Sequence, residues 1–380
     1  MEIQTTEELV EWLAAGRPLG GVRLQDVDLG PLESRLMRET RLRGLVVLGG
    51  TISPQLLVHL QTHGAVVFPA ESDAPVDVFR AHLYAGDELY AGLDGPGGYA
   101  MTIDSRAYEW GRDMRLAQDA YATLLKAIHD DSISDALDEW VDGRRVVGIM
   151  GGHAEPRGSG GYVAAARAGY ALAGAGMLVA TGGGPGAMEA ANLGAVAPSA
   201  GALDEALGRL RPVPSFAPDV AAWVRVAFEV LESFGPRVTP RPGSPAPVVE
   251  PGAPVRGPRS LGVPTWFYGH EPPNVFAEGI AKYFSNAVRE DGLLARSNAG
   301  VLVLPGAAGT VQEVFQLATR HYYAAPEATP PPMVLVGFDH WVETLPVWPL
   351  LRAMAQGRGM ERSVHLVDDV AEAVALVAAG

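Results

Sequence analysis

Short apolar runs, each followed by a segment with helical periodicity, dominate the second half of the chain. The runs RVVGIM (145–150), MLVAT (177–181), GVLVLPG (300–306) and PMVLVGF (332–338) have the length of buried strands. Between them, apolar residues recur at three- and four-residue steps, which is typical of helices. The alternation predicts an α/β fold with a Rossmann-like parallel sheet and helices on both of its faces.

The first part of the chain shows the same alternation over a shorter stretch. A strand is predicted at 44–50, a helix at 53–64 and a second strand at 65–70. We therefore predict a smaller N-terminal α/β domain at 1–140, of unknown role, and a larger Rossmann-like domain at 141–380.

One stretch of the larger domain breaks the alternation. Residues 236–260 are rich in proline, which neither a helix interior nor a central strand accommodates. Beyond it a strand-like run is predicted at 261–269 and a helix at 274–296. We therefore expect 236–260 to be an exposed insertion within this domain.

Composition and charge narrow the classes of function. The chain has 380 residues and a formal net charge of −15. A field of that sign repels a nucleic-acid backbone, so a nucleic acid polymer is not an expected partner. No apolar run reaches the roughly 18 residues of a membrane span, and the acidic N-terminus is unlike a signal peptide. The expectation is a soluble, cytoplasmic protein without a membrane partner.

Lysine and cysteine usage exclude further chemistry. Lys126 and Lys282 are the only lysines, and neither follows a glycine, so the Gly-Lys-Ser/Thr of a P-loop is absent. Neither lies in a glycine-rich turn, which argues against a pyridoxal-dependent decarboxylase. The chain has no cysteine, and the histidines of residues 1–140 show no metal-ligand spacing. We predict no metal and no cofactor.

Three glycine-rich turns follow predicted strands of the larger domain. Ligands of an open parallel sheet bind beyond the carboxyl ends of its strands, where these turns lie. Glycine lets the backbone approach a ligand, and the following helix offers unpaired N–H groups to phosphate. For any single turn, a purely structural tight turn is the alternative. The first turn lacks G-x-G-x-x-G, which disfavours a hydride-transfer enzyme. The predicted phosphate- or nucleotide-binding residues are Gly151, Gly152, Gly182, Gly183, Gly184, Gly186, Met188, Pro305, Gly306, Ala307, Ala308, Gly309 and Thr310.

Two of these turns resemble the paired motifs of one protein family. VATGGGPGAMEAANLGA (179–195) and VLPGAAGTVQEVF (303–315), in this order, resemble the lonely-guy family of nucleotide 5′-monophosphate phosphoribohydrolases, formerly described as lysine decarboxylases. The resemblance covers roughly residues 145–380, and the extra segments are more like those of the larger members. It implies a Rossmann-like fold, a homodimer or higher homo-oligomer, and hydrolysis of a nucleoside 5′-monophosphate to free base and ribose 5-phosphate.

The resemblance also implies two catalytic residues. The family motif Pro-Gly-Gly-x-Gly-Thr-x-x-Glu matches 305–313, with Ala307 in place of the second glycine and Glu313 as the site glutamate. Because alanine tolerates positive φ poorly, we expect a slightly different loop shape. The family's site arginine, on the preceding helix, corresponds to Arg289, about one residue off the family spacing, and Arg296 is the competing candidate.

A carboxylate beside an arginine suits cleavage of a ribosyl–base bond. A carboxylate stabilises the oxocarbenium-like transition state, and an arginine holds phosphate bidentately. The same residues also fit a structural alternative, in which Thr310 and Glu313 form a capping box and Arg289 is a solvated charge beside Glu290 and Asp291. The alternative function is a carrier or sensor that binds a nucleotide or a molybdopterin-type cofactor without cleaving it.

Further side chains could reach the same crevice. His153 and Arg157 lie on the first glycine-rich loop, and His270 and Glu271 follow the strand-like run after the insertion. Lys282 lies on the helix predicted next. Arg157, His270 and Lys282 could contact the phosphate or the base, whereas an exposed loop arginine and a surface lysine are the structural alternatives.

Overall fold

The computed structural model describes residues 1–68, 74–116, 119–235, 257–267, 271–325 and 328–379. The predicted contact His270 and all of the predicted insertion except its last four residues lie outside these ranges. In the described ranges the strands are β1 (Glu2–Ile3), β2 (Arg23–Gln25), β3 (Val46–Leu48), β4 (Val66–Phe68), β5 (Val146–Met150), β6 (Leu178–Thr181), β7 (Ser260–Gly262), β8 (Gly279–Ile280), β9 (Gly300–Val303), β10 (Met333–Val336) and β11 (Val364–Val367).

The helices of the same ranges vary from one turn to six. They are α1 (Thr6–Ala14), α2 (Glu33–Leu36), α3 (Pro54–Thr62), α4 (Gly86–Leu89), α5 (Ile103–Arg112), α6 (Ala120–Val141), α7 (Gly160–Gly174), α8 (Ala187–Val196), α9 (Ala200–Leu210), α10 (Val220–Ser233), α11 (Asn286–Arg296), α12 (Ala308–Tyr322), α13 (Val347–Ala355) and α14 (Val370–Ala379). Short 3-10 turns lie at Gly30–Leu32, Gly98–Met101 and Gly359–Arg362, and a π-helical turn lies at His340–Thr344. None of the helices described is long and apolar enough to span a lipid bilayer.

The chain divides into two compact units. The smaller unit comprises 1–82 and 113–136, and the larger comprises 83–112 and the chain from residue 137 onward. The chain therefore passes between the units three times, whereas the sequence predicts a single boundary near residue 140. Residues 83–112 belong to the larger unit because Asp104 accepts hydrogen bonds from Lys282 and Trp266 there.

The smaller unit is built on a parallel sheet with the strand order β1-β2-β3-β4. Ile3, Leu24 and Val47 are aligned in register and are almost fully buried, so they form one row of its core. The strands and the helix predicted between residues 44 and 70 are confirmed as β3, α3 and β4. Strands β1 and β2 were not predicted, because Glu2–Ile3 and Arg23–Gln25 lack the apolar run that marks β3 and β4.

The larger unit contains a parallel sheet with the order β11-β10-β9-β5-β6-β7-β8, which confirms the predicted Rossmann-like α/β fold. The order runs outward in both directions from β5 and β9, so a topological switch point lies between these two strands. Helices α7 and α8 pack so closely that a Cβ atom at Gly169 or Gly194 would collide with the backbone of the opposite helix. Their alanine-rich sequences suit that close approach.

The helix predicted at 274–296 is wrong in its first half. Helix α11 begins only at Asn286, after Ser285 caps it, and the residues before it include the short strand β8. The physical reason is tertiary: the backbone N–H of Asn274 donates to Gly183 and its side chain donates to Gly184, which holds this segment against the β6 loop. Long-range hydrogen bonds here override the helical periodicity.

Candidate functional site

A cavity of about 520 Å3 opens at the carboxyl ends of the central strands of the larger unit. Loops after β5, β6, β7, β9 and β10 contribute to its lining, together with α11 and α12. The switch point between β5 and β9 lies in the cavity wall, where the Gly152 N–H donates to the Pro305 carbonyl at 3.1 Å. Open α/β sheets bind their ligands at such a point, and the volume suits a small molecule.

Most of the predicted binding residues line this cavity. Gly183 and Gly186 are not among the lining residues. Both have φ of +73°, a backbone conformation of the β6 loop that favours glycine. A Cβ atom at Gly182 would displace the ends of the Met188 and Arg289 side chains, so glycine leaves these two side chains in place. The predicted residues that line the cavity are Gly151, Gly152, Gly182, Gly184, Met188, Pro305, Gly306, Ala307, Ala308, Gly309 and Thr310.

A buried network of polar side chains supports the β6 loop. Thr181 donates to Asn192 at 2.7 Å, and Asn192 donates to Ser260 at 2.8 Å. Asn274 donates to the Gly184 carbonyl at 3.1 Å. A fully bonded network of this kind rigidifies the structure around it, so this wall of the cavity is preorganised.

The loop between β9 and α12 presents an open helix N-terminus to the cavity. Ala307 is the N-cap of α12, and no side chain caps the helix there. Ala307 has φ of −113°, an extended conformation that alanine adopts without strain, so this departure from the family motif imposes none. Glycine is required instead at Gly306, where a Cβ atom would collide with Thr310. The uncapped N–H groups and the helix dipole favour an anion at this loop.

Arg289 of α11 and Glu313 of α12 form a buried ion pair in the cavity wall. Their side chains are 10% and 11% exposed, and Nη1 of Arg289 lies 3.1 Å from Oε1 of Glu313. Nε of Arg289 donates to the Val263 carbonyl at 2.6 Å, which fixes the guanidinium. Burial raises the pKa of Glu313 above its ordinary value; Arg289 opposes that rise and Glu290 adds to it. The pair therefore presents an unusually basic, oriented carboxylate to a ligand.

The structural alternative for these residues does not hold. The N-cap of α12, Ala307, lies three residues before the expected cap, so Thr310 lies inside the first turn and no capping box with Glu313 forms. Glu313 faces Arg289 instead of its own helix N-terminus. Arg289 is buried rather than solvated, while Asp291 lies 3.5 Å from Arg320 on the neighbouring helix.

Two of the other predicted arginines lie away from the cavity. Arg157 is buried and donates to both carboxylate oxygens of Glu189 and to the Trp223 carbonyl, so it is not a ligand contact. Arg296 forms two hydrogen bonds of 2.8 Å with Asp138 and does not line the cavity, whereas Arg289 does.

Lys282 does not reach the cavity either. It is fully buried and donates to Asp104 at 2.6 Å, because the helix expected to expose it begins four residues later. Burial lowers its pKa, and the Asp104 carboxylate partly opposes that shift. Lys282 therefore joins residues 83–112 to the rest of the larger unit instead of contacting a phosphate.

Two cavity residues were missed by the sequence analysis. Glu290 lies 4.0 Å from Arg289 and accepts a hydrogen bond from Gln312. His340 follows β10 and contacts Gly306. The glycine-rich turns were located because ligands bind at the carboxyl ends of parallel strands. The same reasoning applies to the end of β10, but no glycine motif marks that position.

The expected loop residues His153 and Glu271 do face the cavity. Nδ1 of His153 lies 3.4 Å from Oε1 of Glu271, and both side chains are partly exposed. In the described part of the chain, no cluster of three or more His, Asp or Glu side chains has the geometry of a metal site. In comparison with known proteins, no protein-family model and no curated protein matches this chain.

Proposed function

We propose that the protein hydrolyses the N-glycosidic bond of a nucleoside 5′-monophosphate, giving free base and ribose 5-phosphate. The observation that carries this proposal is the buried Arg289–Glu313 pair, which lines the same cavity as the uncapped N-terminus of α12. A fixed carboxylate and an anion-binding loop side by side match the two needs of a phosphorylated sugar: a site for phosphate and a charge to stabilise the reacting carbon.

The phosphate would bind at Gly306–Thr310, the segment that lines the cavity and begins α12 without a side-chain cap. Binding energy from this non-reacting group would hold the sugar against Glu313 and lower the entropic cost of reaction. Such a role for the loop requires a small residue at Gly306, and the position allows no Cβ atom.

In the chemical step, the bond between C1′ and the base nitrogen breaks and its electron pair leaves with the base. The carboxylate of Glu313 stabilises the positive charge that develops on the sugar, and it accepts a proton from the water whose oxygen bonds to C1′. That proton passes to the departing base, so one water is consumed for each nucleotide. The raised pKa of Glu313 suits the proton-accepting step, because a more basic carboxylate is a stronger general base.

The test is release of ribose 5-phosphate from a panel of nucleoside monophosphates by wild type and Glu313→Gln. We expect release from at least one nucleotide, and a loss of about 10²-fold or more in the variant. Asp291→Asn is the matched control, since Asp291 is also acidic and lies on α11 but pairs with Arg320 outside the cavity. Binding without release by wild type would refute hydrolysis and favour the carrier or sensor function.

The assembly and location are part of the same proposal. We propose a cytoplasmic homodimer or higher homo-oligomer, as the family resemblance implies. Sedimentation of the purified protein tests the assembly directly, and a monomer at all concentrations would refute it.

A further inference from the structure

The described lining of the cavity has few basic side chains for a phosphate, and two of them are already paired with carboxylates. Of the described lining residues, Arg289, His153 and His340 are the basic ones. Arg289 is bonded to Glu313 and to the Val263 carbonyl, and His153 is paired with Glu271. The remaining basic side chain, His340, contacts backbone rather than a carboxylate.

The position of His340 follows from the sheet. Strands β9 and β10 are parallel neighbours, with Val303 paired to Leu335, so their following loops lie side by side. A π-helical turn begins at His340, and such turns occur frequently at functional sites. The next residue, Trp341, is fully buried and donates to the Val336 carbonyl at 3.0 Å, and the two rings meet edge to face at 4.6 Å. The imidazole is therefore held in place beside the β9 loop.

His340 contacts both backbone groups of Gly306 through one ring nitrogen. Nε2 of His340 lies 3.0 Å from the Gly306 carbonyl oxygen and 3.3 Å from the Gly306 amide nitrogen. When Nε2 accepts from the amide N–H, the ring proton is on Nδ1, which can then donate to a ligand.

The carboxylates that line the cavity lie outside the segment from Pro305 to Gly309 that His340 contacts. Glu155 follows β5, Glu271 follows β7, and Glu290 and Glu313 come from α11 and α12. The segment from Pro305 to Gly309 contributes no carboxylate; its Gly306 contacts His340, and its Ala307 is the N-cap of α12. An anionic group that enters the cavity therefore meets no carboxylate from this segment itself.

We propose that His340 is a phosphate-binding residue, which holds Gly306 through Nε2 and donates to a phosphate oxygen through Nδ1. This inference rests on the proposed function, because it assigns His340 to the 5′-phosphate of the same substrate. The consequence is selectivity for the phosphorylated sugar: loss of His340 weakens binding of phosphorylated ligands and leaves binding of the unphosphorylated nucleoside unchanged.

The experiment measures the affinity of ribose 5-phosphate by calorimetry for wild type, His340→Gln and His340→Phe. Glutamine can keep a hydrogen bond with Gly306 but lacks the second ring nitrogen, whereas phenylalanine keeps only the ring contact with Trp341. We expect both variants to bind ribose 5-phosphate about ten-fold or more weakly, as loss of a charge-assisted hydrogen bond predicts. His365→Gln, the same change on β11 outside this cavity, serves as the control and should bind like wild type.

A kinetic measurement separates phosphate binding from a merely structural role. On the best nucleotide substrate, His340→Gln should raise KM with a smaller change in kcat, and its melting temperature should stay close to that of wild type. Equal affinity of wild type and both variants for ribose 5-phosphate would overturn the proposal, as would no binding by wild type. Tight, His340-dependent binding without nucleotide hydrolysis would support this inference while refuting the proposed reaction, so the two failures are distinguishable.

Discussion

Two buried arginine–glutamate pairs lie in the larger unit, and they differ in what surrounds them. The side chains of Arg157 and Glu189 are each 1% exposed, and the arginine stacks on Trp223 at 4.9 Å. The side chains of Arg289 and Glu313 are 10% and 11% exposed and line the cavity. The residue types are the same, but the first pair has only protein around it and the second faces space that a ligand can fill.

The difference teaches that burial of an ion pair does not by itself indicate function. A sealed pair is bonded on all sides, so neither charge is available to another molecule. A pair that opens on a cavity keeps one side for a ligand, and the desolvation that raises the pKa of Glu313 then acts on a group that can take part in chemistry. The comparison predicts that the first pair determines stability and the second determines activity.

The largest effect is expected from Arg157→Met. The substitution leaves Glu189 as an uncompensated buried charge, so we expect a loss of about 3–5 kcal/mol in the free energy of unfolding, measured by urea denaturation. The double variant Arg157→Met/Glu189→Leu removes both charges and should recover most of that loss. If the double variant were as unstable as the single one, shape and not charge would be the cause.

The next effect is expected on turnover, from Arg289→Met. Glu313 would lose its orienting partner, so release of ribose 5-phosphate should fall by about 10²-fold, which is about 2.7 kcal/mol of activation free energy. The free energy of unfolding should change by only about 1–2 kcal/mol, because Glu313 borders the cavity and can be protonated or hydrated. A stability loss as large as that of Arg157→Met would remove the distinction between the two pairs.

The sequence led to both members of the cavity pair as predicted site residues, but it did not reveal the sealed pair, for a physical reason. Glu313 follows a recognisable motif, and Arg289 lies on the helix just before it, so both were predicted as site residues. Arg157 lies on a glycine-rich loop, and its partner Glu189 is 32 residues away, so no local pattern shows that its side chain turns inward. Long-range packing likewise buries Lys282 and delays the start of the helix predicted at 274–296 until Asn286.

A third buried group, His321 on α12, has no carboxylate partner in the described part of the chain, so its effect on stability depends on pH. Burial and the nearby Arg320 lower its pKa to about 4. The native state then binds fewer protons than the unfolded state between that value and about 6.5, so stability falls as the pH falls through this window. At about pH 5 the loss amounts to about 2 kcal/mol relative to neutral pH.

His321→Phe should remove this part of the acid sensitivity. The test compares urea midpoints of wild type and His321→Phe at neutral pH and near pH 5, with His365→Gln as a control for loss of a partly exposed histidine. An unchanged pH dependence in His321→Phe would mean that buried carboxylates, and not His321, cause the loss of stability at acid pH.

The smallest effect is expected from the exposed pair of His153 and Glu271, whose side chains are 54% and 35% exposed. Water and salt screen such a pair, so His153→Gln should change the free energy of unfolding by less than about 1 kcal/mol, with the difference vanishing at high salt. Thermal melts at low and high salt measure this directly. A loss comparable to that of Arg157→Met would show that exposure does not weaken ion pairs in this fold. The contrast between the sealed pair and the cavity pair would then have to rest on their neighbours rather than on their burial.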